Sequence, residues 1–151
     1  MPRPSATLLA VLLLSVTACS RVDEDVRSDA EVAAANVLLV RRTVEEGYNG
    51  RNPEIFGLAY HPDAVVWNNG TRMEDGPILE GFRRDLAEYD QQFSEWRIDI
   101  EDIFGTADRV AVRWVFQGRL RGNGQRVSRT GNWIGRILNG KVAEVWEAVD
   151  Q

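Results

Sequence analysis

Residues 125–150 read QRVSRTGNWIGRIL, then NG, then KVAEVWEAVD, and the fold follows from them. Both central residues of a tight primed turn need positive φ, so Asn139-Gly140 between two alternating runs predicts a long β-hairpin. Period-two alternation sorts the last strand into two rows. Val142, Glu144, Trp146 and Ala148 form one, and Ala143, Val145, Glu147 and Val149 the other. If the second row faces inward, Glu147 is a carboxylate among small apolar neighbours. Lost hydration there raises its pKa and suits it to take or give a proton. The plainer alternative leaves Glu147 in water as a surface charge beside Lys141 or Arg136.

Upstream the same period persists. The runs 96–104, 109–120, 125–138 and 141–150 are joined by links too short for crossover helices, which predicts an antiparallel meander. Val110, Val112, Trp114 and Phe116 share one face of the second run, an apolar row that helices must cover. Those helices precede it. Ser28-Asp-Ala-Glu31 fits a capping box, and Ala33, Val37, Val40, Val44 and Tyr48 form one stripe behind it. Asn52-Pro53 opens a short second helix to about Tyr60, which His61-Pro62 ends. A strand from Ala64 to Asn68 turns at Asn69-Gly70 toward 71–74. The third helix follows Asp75-Gly76-Pro77, with Leu79, Phe82, Leu86, Tyr89 and Phe93 on one face. The class is α+β: a curved, mostly antiparallel sheet closed by three helices from the N-terminal half.

The chain has 151 residues and a net charge of −5, enough for one core and no basic field for nucleic acid phosphates. One cysteine and one histidine supply neither an internal disulfide nor a multi-histidine metal site, and no cofactor motif is present, so no metal and no cofactor are expected. Arg3, the apolar run from Ala6 to Val16 and Val16-Thr17-Ala18-Cys19 resemble a bacterial lipoprotein signal peptide with its lipobox. That resemblance implies removal of residues 1–18, lipidation of Cys19, a tether over 19–27, a domain over 28–151 and attachment in the cell envelope. Because Ser20 rather than aspartate follows Cys19, an outer-membrane address is favoured if the cell is Gram-negative.

The succession of helix, short helix, His61-Pro62-Asp63, strand, helix and four long strands resembles the nuclear transport factor 2-like fold. Within it, the residues resemble the SnoaL-like polyketide cyclases. The shared pieces are His61-Pro62-Asp63, the strand Asp108 to Trp114, Arg136-Ile137 followed by Gly140-Lys141-Val142, and Glu144, Trp146 and Asp150 at the end. The resemblance implies a cone with an apolar pocket. It places Glu147 where the cyclases carry an acid/base aspartate, and Trp133 where they carry a histidine. Ketosteroid isomerases need a carboxylate and a tyrosine where Asn68 and Val44 stand, so isomerisation by their mechanism is disfavoured.

Tyr48, Phe82, Trp67, Trp114 and Trp133 are candidate pocket walls, with aromatic core packing as the plain alternative. His61 is a candidate ligand contact or a simple connector. Arg113 and Arg129 either pair with surface acids or, turned inward, hold an anion. Two functions follow. One is an anchored module binding a small hydrophobic molecule or a protein partner. The other is a cofactorless cyclase, isomerase or hydrolase using Glu147. Trp146, on the face opposite Glu147, suits a homodimer.

Overall fold

The computed structural model describes residues 27–73 and 76–150. Cys19 and the expected signal peptide lie outside the described residues. Helix α1 spans Asp29–Arg42, and the Ser28 hydroxyl and Glu31 carboxylate satisfy each other's backbone N–H groups as the capping box requires. The helix then widens into a π-helical turn, Thr43–Tyr48. There the Thr43 hydroxyl donates to the Val40 carbonyl at 2.7 Å. Such widened turns often mark functional positions, and this one carries Thr43, Val44 and Tyr48. Helix α2 is Glu54–Ala59 and α3 is Ile78–Gln92.

Six strands form one sheet: β1 Tyr60–Asn68, β2 Thr71–Met73, β3 Phe93–Gly105, β4 Arg109–Leu120, β5 Arg126–Leu138 and β6 Lys141–Val149. Their spatial order is β2-β1-β6-β5-β4-β3. The meander β3 to β6 and the β1–β2 hairpin are antiparallel, while β1 pairs with β6 in parallel, so the sheet is mixed. Asn69 and Asn139 take positive φ in the two Asn-Gly turns, as both motifs predict.

The helices cover one face. Val40 and Val44, Phe56, and Phe82 and Leu86 pack on Val110, Val112, Phe116, Val142 and Val145. Phe56 is wholly buried and stacks on Phe82 with centroids 3.8 Å apart. Side chains also tie the helices to the sheet. Asn49 exchanges two hydrogen bonds of 2.8 Å with the backbone of Ile98, taking the place of a neighbouring strand. Arg51 lies 3.4 Å over the Trp96 ring and donates to the Trp96 carbonyl and to Asp90.

One inward row departs from strict alternation. Arg136 pairs with Glu144 and Ile137 with Val142, leaving Ala143 as an unpaired extra residue. A bulge of this kind reverses the parity of the strand, so Val142 and Val145 both point inward. Both are buried, and the inner row is Val142, Val145, Glu147 and Val149.

Candidate active site

Between the covered face and the helices lies a cavity of about 590 Å³. Its deep walls are Val44, Tyr48, Tyr60, Phe82, Trp114, Phe116 and Trp133. Asn69, Met73, Asp85, Arg129 and Asp150 line it too and are exposed, which marks the mouth. The size and the rings of the deep walls suit a small molecule with an apolar body, while Asn69, Asp85, Arg129 and Asp150 make the mouth polar and charged.

Two glycines of β5 leave room for the indoles. A Cβ on Gly131 would stand 2.3 Å from Cζ2 of Trp114, and one on Gly135 would stand 2.1 Å from Cη2 of Trp133. Both rings therefore lie flat against bare backbone instead of standing up into the cavity.

Glu147 sits beside Trp133, its register partner on β5, and opposite Asn68 on β1. The Asn68 Nδ2 group donates to Glu147 Oε2 at 3.4 Å. Burial pushes the Glu147 carboxyl up to about 7, and the nearby Asp85 carboxylate adds to the shift. A group titrating there is available as base and as acid near neutrality. Burial also holds the hydroxyls of Tyr48, Tyr60 and Tyr89 protonated, and the field of Glu147 reinforces this in each. One titrating carboxyl thus faces three neutral phenols.

Of the residues named from the sequence, Tyr48, Phe82, Trp114, Trp133 and Glu147 come together at this cavity. Trp67 does not. Alternation gives the inward positions of β1 to Ala64, Val66 and Asn68, so Trp67 stands on the other face and donates from Nε1 to Glu144 Oε1 at 3.1 Å. His61 is also outside the cavity wall. Its Nε2 lies 2.9 Å from the Leu138 carbonyl, which can only accept, so that nitrogen carries the proton and the ring joins β1 to the last hairpin. Arg113 pairs with Glu101 away from the cavity, whereas Arg129 lines its mouth. Tyr60 and Asn68 are cavity residues that the sequence reading did not nominate. Asn68 stood at the position where the isomerases carry their base, which was a usable signal; for Tyr60, the early start of β1 concealed it. Among the described residues, no three of His, Cys, Asp and Glu cluster as a metal site would require, and no helix is long and apolar enough to cross a membrane.

A mixed, curved sheet with helices over one face and a cavity beneath them defines the nuclear transport factor 2-like fold. The family model described as SnoaL-like polyketide cyclase matches residues 38–151, and the chain belongs to that family. Solved structures agree on the fold. A SnoaL-like polyketide cyclase from Agrobacterium tumefaciens strain C58 is 21% identical with a TM-score of 0.60, over 75% of this chain and 89% of that one. TsrD from Streptomyces laurentii is 22% identical with a TM-score of 0.65, over 78% and 89%. An LEH-like epoxide hydrolase from M. tuberculosis is 13% identical with a TM-score of 0.62, over 78% and 84%. No curated protein matches the chain in sequence.

Proposed function

We propose that this chain is a cofactorless enzyme in which Glu147 moves a proton at a carbon next to a carbonyl group of a small, mostly apolar substrate. The observation that carries this reading is the Glu147 carboxyl, pushed up to about 7, inside an aromatic cavity of about 590 Å³. The ionised form takes the proton, the electron pair of the C–H bond becomes the enolate double bond, and the protonated form returns the proton to carbon or oxygen. Asn68 holds the carboxylate on the cavity side, and the rings exclude water and align the planar substrate. The SnoaL-like family and a polyketide cyclase of the same fold support carbon-acid chemistry of this type.

The test is exchange of carbon-bound hydrogen in deuterium oxide, followed by proton NMR on a panel of aryl ketones and 1,3-diketones. Wild-type protein accelerates exchange, and Glu147→Gln lowers the rate by about 100-fold or more. Tight binding of these ketones without exchange would instead make the chain a binding module for small hydrophobic molecules.

Attachment to the envelope through lipidated Cys19 belongs to the same proposal and rests on the lipobox-like run ending at Cys19. Mass spectrometry of the protein purified from membranes should find a diacylglyceryl group on that residue. A homodimer is supported by Trp146 and Ile134, which stand 36% and 43% exposed on the sheet face that no helix covers. Light scattering should then give twice the monomer mass, and Trp146→Glu should halve it.

A further inference from the structure

Arg129 carries a charge that the acid/base role of Glu147 leaves unused. Elsewhere on β4 and β5, Arg113, Arg119 and Arg136 each meet a carboxylate, that of Glu101, Glu95 and Glu144 in turn, and none of the three lines the cavity. Arg129 stands on the other face. Its register partner on β4 is the buried Phe116, and residues directly opposite in a ladder share a face, so its side chain leaves the sheet on the cavity side and lines the mouth. Among the described residues it makes no hydrogen bond and no ion pair. The Asp150 carboxylate, which lines the same mouth, accepts instead from the Thr130 hydroxyl. An arginine is always charged, and its N–H donors form a planar fork that matches a carboxylate. Along β5, the next lining residue is Trp133, the register partner of Glu147. Four residues of strand separate the two positions, about 13 Å before the reach of the side chains is subtracted.

We propose that Arg129 sets the specificity of the cavity by holding a carboxylate of the substrate at the mouth, while the apolar body runs inward along the rings and the reacting C–H reaches Glu147. The inference rests on the acid/base reading of Glu147 and narrows its substrates to monoanionic acids: a planar apolar body with a carboxylate at one end and a carbonyl group at the other. The number of charges follows from the neighbours. Asp85 and Asp150 share the mouth and repel a second negative charge, so the guanidinium has room for one carboxylate and the site rejects a dianion. A fork-to-fork pair also fixes direction, because an acid held at the mouth enters carbonyl first. The carboxylate lies far from the carbon that reacts, so the pair is as strong before the transition state as in it. Such uniform binding lowers KM and leaves kcat alone.

The full chain is titrated by calorimetry with three naphthyl methyl ketones of nearly one shape: 6-acetyl-2-naphthoic acid, its primary carboxamide and the cationic aminomethyl analogue. Wild-type protein should bind the acid about ten-fold more tightly than the carboxamide, the equivalent of one charge-assisted contact, and the cation most weakly. Arg129→Gln should remove that advantage, weakening the acid about ten-fold and moving the carboxamide by less than about two-fold. Arg129→Lys keeps the charge without the fork and should recover part of it. Arg126→Gln, which takes the same charge from a position of β5 that does not line the cavity, should leave all three affinities as they were. In hydrogen exchange of the acetyl group, Arg129→Gln should raise KM for the acid about ten-fold at nearly constant kcat. A carboxamide bound as tightly as the acid by the wild type, a cation bound most tightly, or an Arg129→Gln variant equal to the wild type on the acid would each overturn the proposal. Absence of exchange in the wild type, with the Arg129-dependent affinity intact, would sink the acid/base reading alone and leave Arg129 as the anion site of a binding module.

Discussion

Three residues apart on β6, two glutamates meet opposite surroundings. Glu144, on the outer face, accepts from Trp67 Nε1 at 3.1 Å and from Arg136 Nε at 3.4 Å. Glu147, on the inner face, has an amide donor at 3.4 Å and another carboxylate nearby, and its carboxyl is pushed up to about 7. The outer face disposes of its charge in pairs, Arg113 with Glu101 as well as Arg136 with Glu144. On the inner face, charge is set among rings with little water to replace. Exposed pairs of this kind contribute little to stability, and a desolvated carboxyl opposes folding when ionised. The inner face therefore gives up stability to keep a group titrating at neutral pH.

The largest effect should come from swapping the same amide into each face. Glu147→Gln should lower ketone hydrogen exchange by two orders of magnitude or more, whereas Glu144→Gln should leave it within about two-fold. Equal losses would erase the distinction between the faces.

The next effect is on stability, and its sign is opposite to that of a salt-bridged carboxylate. Glu147 has a folded pKa of about 7 against an ordinary 4.5. Between those values the folded state holds a proton that the unfolded state has released. Its contribution is fully present below about pH 4.5 and is lost as pH rises through 7. The wild type should lose up to about 3 kcal/mol relative to Glu147→Gln over that window. Denaturant melts at pH 5 and pH 8 measure it, and the rate of exchange should rise over the same range as the base ionises.

Gly131→Ala sharpens the comparison at the wall. The added methyl must displace the Trp114 ring, which stands 2.3 Å from its site. A loss of about 1–3 kcal/mol is expected from the strain, with weaker binding as the indole tips into the cavity. The smallest effect should be Trp67→Phe, which removes one partly buried hydrogen bond on the outer face. That should cost about 1 kcal/mol in a thermal melt and leave exchange unchanged.

The residues that announced themselves in the sequence were those whose signal is local. The stripe Leu79, Phe82, Leu86, Tyr89 set α3, the two Asn-Gly pairs set hairpins, and the capping box at Ser28 set the start of α1. Glu147 was visible for the same reason, since strict alternation and the strand's true row agree from Val145 onward. Ala143 and Val142 were not, because a bulge depends on how the partner strand is spaced at Arg136 and Ile137. Trp67 followed from aromatic character without asking which neighbour shares its face; Asn68 next to it takes the inward place. His61 was read by residue type, and a long-range contact with Leu138 decided its surroundings. Tyr60 lay hidden at a helix-to-strand boundary, where β1 begins earlier than the alternating run does and turns its ring to the cavity.

The surplus alanine in β6 acts as a phase-setter for everything downstream. With the hairpin end held, excising that one amino acid would leave Glu144 opposite Arg136 and Glu147 opposite Trp133 in simple odd-even order, whereas excising Val145 beyond it would make Trp146 and Glu147 trade places. In that second case an indole would plug the hollow and the acid would stand in bulk solvent, so a lesion of three nucleotides would silence the protein downstream of the surplus residue and spare its acid at that residue.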